Sequence, residues 1–247
     1  MRIRGGSGLG DSLYVQTIAR HLVKQGKEVE VCSNWPEIFS QMDVKVSEFT
    51  RQNIDKICHY NRRKPEPTSQ FEDCCIDAGV TGVEYTLDWE IQGQWDFPKP
   101  VLLVYMPRTP MDRKDNYGKE LFPDCDVLND IIRVIKPHFY TIQVGKGNPL
   151  YKLDNIDLDL VNKTSVTDLL DLAKLSSRLI GQISGMIPLA ESFDKKCLAL
   201  FSFKGLSCPD QRISSLLPRK LCHKETSLHV VDNWTPKQIE DVLATFL

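Results

Sequence analysis

The order of turn signals and apolar-patterned segments in the first 49 residues restricts the fold more than any other feature of the chain. Arg2 to Arg4 supply a short strand, GGSGLG (5–10) a tight loop, and Asp11 a cap for a helix whose apolar face is Val15, Ile18, Ala19 and Leu22. Gly26 ends that helix. EVEVCS (28–33) reads as a second strand, WPEIFSQM (35–42) as a short helix with Pro36 in its first turn, and VKVSEF (44–49) as a third strand. A βαβαβ start of this kind calls for a parallel sheet with helices packed on it.

Thr50 to Phe97 shows no period strong enough to assign, and FPKP (97–100) then punctuates the chain. Alternation resumes with VLLVYM (101–106), whose unbroken apolar run suits a strand buried on both faces. Helices are predicted near 124–136 and over 167–175, 184–193 and 235–246, with strands over 138–144, 178–181, 197–202 and 228–231. Thr235, Pro236 and Gln238 suit the cap, N1 and N3 positions of the last helix. The pattern predicts an α/β chain of two Rossmann-like domains, 1–97 and 98–247, facing each other across a cleft.

Composition serves to exclude. Hydrophobic residues at 41% and charged residues at 26% leave no room for a disordered or fibrous reading. The longest apolar runs, VLLVYM and CLALFSF (197–203), fall far short of the roughly 20 residues that span a bilayer, and the polar, glycine-rich start is no signal peptide. These features predict a cytoplasmic protein. With 31 Lys and Arg against 33 acids, any contact with nucleic acid must be local. The eight cysteines form no CxxC, so they read as reduced thiols, and Cys74, Cys75 and His138 read as packing residues.

Three segments carry chemistry on their own residues. GGSGLGDSL (5–13) is a glycine-rich loop opening a helix, where backbone N–H groups can approach an anionic or sugar ligand; its plain alternative is a helix cap. It is not a GxGxxG, and Cys32, Ser33 and Asn34 offer no acid for a ribose, which leaves an NAD-binding Rossmann enzyme as the weaker alternative. Ser184 and Gly185 form a tight turn at the start of a helix on the carboxyl edge of the second sheet, a phosphate position in such folds or simply a packing turn. RQNIDKICHYNRRK (51–64) interleaves Arg51, Lys56, Arg62, Arg63 and Lys64 with His59 and Tyr60, which suits a nucleic-acid backbone, a phosphorylated sugar or a solvated face.

Gly10–Asp11 at a helix start, together with LIGQISGMIPLAESFDKKC (179–197), resembles the heptosyltransferase-like glycosyltransferases of GT-B fold. Ser184, Gly185, Leu189, Ala190 and Lys195 match that family's later segment, while Ile183 and Pro188 replace its Asp and His. The resemblance implies an inverting transfer from a nucleotide-sugar donor to an acceptor hydroxyl, with no metal and no other cofactor. It makes Asp11 the general base in an N-terminal acceptor domain. Gly8 and Gly10 would leave room at the reacting centre, and Ser184, Gly185 and the basic and hydroxyl loop residues Arg108, Thr109, Arg113 and Lys114 would hold the donor diphosphate. Arg51, Lys56, Tyr60, Arg62 and Arg63 would then form an acceptor rim beside Asp11. Two acceptors fit: a lipopolysaccharide or other cell-surface glycan, or a hydroxymethylated pyrimidine in DNA as modified by bacteriophage enzymes, which would place the protein in a host cytoplasm. A sugar-nucleotide-binding module without turnover is the non-enzymatic alternative.

Overall fold

The computed structural model describes residues 1–58, 69–105, 125–146, 153–182, 184–201, 226–230 and 235–247. Its first half is a four-stranded sheet in the order β3-β2-β1-β4, formed by β1 (Arg2–Arg4), β2 (Glu30–Cys32), β3 (Lys45–Ser47) and β4 (Lys56–Ile57), every pair parallel. Ile3 and Val31 are neighbours in the register and fully buried, and their row faces helix α1 (Leu9–Lys24). The alternate residues Arg2, Glu30 and Lys45 form a charged row on the other face, where Glu30 accepts from Arg2 and Lys45 at 3.1 Å each. Helix α1 begins one turn earlier than the sequence suggests. Extended Gly8 is its N-cap and Asp11 is the third helical residue, so Asp11 is no N-cap. The stretch 35–42 winds only as far as a four-residue 3-10 turn, Pro36–Phe39, that buries Ile38 and Phe39.

The second half is a six-stranded sheet in the order β10-β9-β8-β5-β6-β7, again with parallel pairs only. It comprises β5 (Val101–Tyr105), β6 (Tyr140–Val144), β7 (Leu158–Asp159), β8 (Arg178–Gln182), β9 (Lys196–Phe201) and β10 (Thr226–Val230). Helices α3 (Cys125–Ile135), α4 (Val166–Leu175), α5 (Met186–Ser192) and α6 (Pro236–Phe246) connect and cover it. The unbroken apolar run of β5 has the expected cause. Val101 and Leu103 face one cluster with Leu170 and Leu189, whereas Leu102 and Val104 face another with Ile131, Ile135, Leu243 and Phe246. Thr235 caps α6 as predicted, its hydroxyl accepting from Gln238 N–H. His138 is a correction: it lies exposed at the end of a 3-10 turn, because burial passes to Phe139.

The segment without a sequence period contains β4, the capped helix α2 (Gln70–Ala78), and a non-helical strap over 80–97. Ser69 and Glu72 form the α2 capping box, and Gly79 closes it in the left-handed region at φ 72°. The strap is held by distant elements. Thr17 donates to Thr86 O at 2.8 Å and Arg20 pairs with Asp88 at 2.9 Å, both from α1. From the second half, buried Asp171 on α4 accepts from the Trp89 indole at 2.7 Å, Gly93 N at 2.7 Å, Gln92 N at 3.1 Å and the Trp95 indole at 3.3 Å. One apolar cluster consequently runs from Ile3, Leu13 and Ile18 through Trp89 to Leu103, Leu170 and Leu189. Cys32, Cys58, Cys74, Cys75 and Cys197 are buried, reduced thiols within these layers. Burial pushes Cys58 and Cys75 up to about 12, and raises Cys74 and Cys197 further.

Candidate active site

Each half presents one helix start at the carboxyl edge of its sheet, and the two starts meet. The loop after β1 turns at Gly5–Gly8 into α1, and the turn after β8 passes through Ser184 and Gly185 into α5. A Cβ on Gly10 would lie 2.7 Å from Pro188 Cγ and 3.4 Å from Gly185 Cα; one on Gly185 would lie 3.3 Å from Gly10 N. A side chain on Gly10 would press into the Pro188 ring, and one on Gly185 would crowd the Gly10 amide. This approach brings Gly8, Gly10 and Asp11 together with Ser184 and Gly185, which lie at opposite ends of the sequence.

Asp11 is half-buried and folds back over its own loop, where its Oδ2 accepts from Gly8 N–H at 3.1 Å. The loop glycines make room for that carboxylate. A Cβ on Gly6 would come within 2.4 Å of Asp11 Oδ2, and one on Gly8 within 2.9 Å. Gly8 itself is exposed. Gly10 does not leave the open space expected of it, because the Pro188 ring packs against it. That contact gives Pro188 a structural role: it packs on α1, and its carbonyl accepts from the buried Tyr85 hydroxyl of the strap at 2.8 Å. Ser184 Oγ accepts from Met186 N at 3.2 Å, fixing the turn that opens α5.

The remaining candidates divide. Lys56 opens β4, with its ammonium 3.7 Å from where a Gly79 Cβ would stand, at the far end of α2; it does not flank Asp11. Arg51 belongs to the loop that crosses the charged face of the first sheet, bordering a polar hollow of about 450 Å³ lined by Arg2, Ser47, Phe49, Gln52 and Asn53. Neither forms the rim that the basic run suggests, because the chain from β3 to β4 passes over the sheet face. Lys195, a match to the family segment, sits in the turn after α5, half-buried, and burial lowers its pKa. Tyr60, Arg62, Arg63, Arg108, Thr109, Arg113, Lys114 and Ile183 lie outside the described residues.

Sequence reasoning passed over Trp35. It follows β2, half-buried, and its indole N–H donates to Ser7 O at 3.0 Å, closing one side of the glycine loop. Its signal was the dipeptide Trp35–Pro36 directly after a strand, beside a loop that the first strand also feeds. Among the described residues no group of three His, Cys, Asp or Glu side chains is placed to hold a metal, and no helix is long and apolar enough to cross a membrane.

No family model and no curated protein matches the sequence. Solved structures do match the fold. ADP-heptose lps heptosyltransferase II of E. coli superposes with a TM-score of 0.65 at 11% identity, over 99% of this chain and 98% of the other. E. coli heptosyltransferase WaaC with ADP gives 0.65 at 9% identity, over 100% of both chains. A glycosyl transferase family 9 protein from Veillonella parvula gives 0.59 at 10% identity, over 100% of this chain and 89% of the other. The α/β architecture of two parallel sheets is therefore shared with these solved glycosyltransferases, in agreement with the GT-B fold expected from the Gly10–Asp11 and Ser184–Gly185 segments.

Proposed function

We infer that the chain is a glycosyltransferase that moves a sugar from a nucleotide-sugar donor to an acceptor hydroxyl at the junction of α1 and α5. One observation carries this reading: Asp11, Ser184 and Gly185, singled out separately along the sequence, converge where the two sheets meet. Asp11 takes the proton of the acceptor hydroxyl as its oxygen attacks the anomeric carbon from the face opposite the leaving diphosphate, so the configuration inverts. The carbon–oxygen bond to the diphosphate breaks in the same step. The amides of the Ser184–Gly185 turn, the basic residues Arg108 and Lys114 and the hydroxyl of Thr109 stabilise the departing charge. Residues 1–97 would hold the acceptor and 98–247 the donor, with no metal in the step.

The solved relatives include heptosyltransferases bound to ADP and to an ADP-heptose analogue, so an ADP-linked sugar is the first donor to test. The solved relatives include an ADP-heptose lps heptosyltransferase, so a glycan hydroxyl is the first acceptor to test. The test is a thermal-shift titration with ADP and ADP-heptose, then a transfer assay offering lipopolysaccharide core and hydroxymethylated DNA side by side. At 100 times its dissociation constant the donor should stabilise by about 2.7 kcal/mol. Transfer to the glycan alone supports the reading, transfer to DNA replaces the acceptor, and donor binding without hydrolysis or transfer identifies a binding module.

A further inference from the structure

The peptide group joining Ser7 to Gly8 is pinned at both ends. Its carbonyl oxygen accepts from the Trp35 indole N–H at 3.0 Å, and its N–H donates to Asp11 Oδ2 at 3.1 Å. In a trans peptide those two groups point in opposite directions, so Trp35 and Asp11 grip one plane from either side. We propose that Trp35 is a positioning residue: by holding the Ser7 carbonyl, its indole fixes the orientation of the Gly8 amide that in turn holds the Asp11 carboxylate at the junction.

The need for such a pin follows from the glycines. A Cβ on Gly8 would stand 2.9 Å from Asp11 Oδ2 and one on Gly6 2.4 Å, so a side chain at either position would push the carboxylate off the loop. Glycine on one side of a peptide removes the steric preference that would otherwise set its orientation. A loop shaped to admit the carboxylate is thus a loop whose peptide can turn over, pointing an oxygen at Asp11 instead of an N–H. Trp35 supplies the constraint that glycine gives up, and the chain from indole N–H through the peptide to the carboxylate polarises in one direction.

Trp35 is itself anchored for this role. Its main-chain N–H donates to Ser33 Oγ at 2.9 Å, and Ser33 Oγ lies 3.0 Å from Ser12 Oγ on α1, one residue beyond Asp11. The ring is half-buried against the core, so its N–H is aimed by packing as well as by bonding. Two bridges, Trp35–Ser7 and Ser33–Ser12, therefore tie the end of β2 to the loop and first turn of α1.

The proposal rests on Asp11 being the base, and its test separates the two statements. Trp35→Phe keeps an aromatic ring and removes the donor. Hydrogen exchange of the Gly8 amide in the full chain should accelerate by about tenfold, the loss of one hydrogen bond's protection. The titration midpoint of the Asp11 carboxyl, followed by carbon-detected NMR, should move up as the amide stops favouring its charged form. A ring that serves only as packing would move neither. If Trp35→Phe does not fold, Ser33→Ala, which loosens the main-chain anchor and leaves the indole, should give the same two changes at smaller size. Unchanged Gly8 exchange and an unchanged Asp11 midpoint in a folded variant would overturn the proposal. These readouts need no substrate; a transfer-competent Asp11→Asn variant would instead overturn the assignment of the base while leaving the pin intact.

Discussion

The two sheets are both parallel, yet they are buried in different ways. The first has strands of two or three residues with apolar side chains on one face and Arg2, Arg4, Glu30 and Lys45 on the other. The central strands of the second run to five or six residues and bury both faces. A small parallel sheet covered on one side buries less apolar surface than one covered on both. The first half makes up the difference by burying α1 nearly all round, including Ser12, Gln16 and Thr17, and by lending α1 and the strap to a cluster shared with the second half. The candidate base therefore sits in the half whose order depends on its neighbour.

The largest expected effect comes from cutting the tie between the halves. Asp171→Ala would leave the Trp89 and Trp95 indoles and the Gln92 and Gly93 amides without their acceptor, at a cost of about 4 kcal/mol in urea unfolding. If the strap can re-bond to water the loss will be under about 1 kcal/mol, and the two halves are more independent than the shared cluster implies. Next comes the contrast between far faces. Leu102→Ala in β5 should lose about 3 kcal/mol, whereas Arg2→Thr in β1 should lose less than about 1 kcal/mol, because only the first opens a cavity. Equal losses would show that the charged face is as tightly packed as the apolar one.

At the junction, Gly10→Ala should cost about 1 to 3 kcal/mol by pressing on Pro188 Cγ, and adding Pro188→Ala should recover part of it, a coupling readable in a double-mutant cycle. The smallest effect at neutral pH belongs to the thiols. Cys58 is raised by burial to about 12 from an ordinary 9.0, so the folded state keeps a proton that the unfolded chain gives up. Its contribution is complete below pH 9 and declines as pH rises from there toward 12, by up to about 1.4 kcal/mol per pH unit. Cys58→Ala should make the alkaline loss of stability shallower by that single-thiol slope.

The second sheet was the more legible because fully buried strands write themselves as apolar runs: VLLVY and KCLALF are strands with little else to be. In the first half, the face of α1 was legible at Val15, Ile18, Ala19 and Leu22, but the burial of Ser12 and Thr17 was not. Their partners, Ser33 and Thr86, are 21 and 69 residues away. The strap had no period to read, since its order comes from Asp171 and α1 rather than from its own hydrogen bonds. At the site, the sequence pointed to Asp11, Ser184 and Gly185, which the fold joins. It misplaced Arg51 and Lys56, because a basic run fixes composition and not which side of a sheet the chain crosses.

Asp11→Asn, assayed for ADP-heptose binding and for transfer on the same preparation, tests most directly whether chemistry occurs where the two sheets meet. Donor affinity should stay within a few-fold of the parent if, as proposed, residues 98–247 hold the nucleotide, while transfer should fall by roughly 100- to 10,000-fold with the loss of a general base. Retention of most of the transfer activity, with donor affinity intact, would reduce Asp11 to the residue that accepts from Gly8 at the start of α1 and would contradict catalysis at this junction.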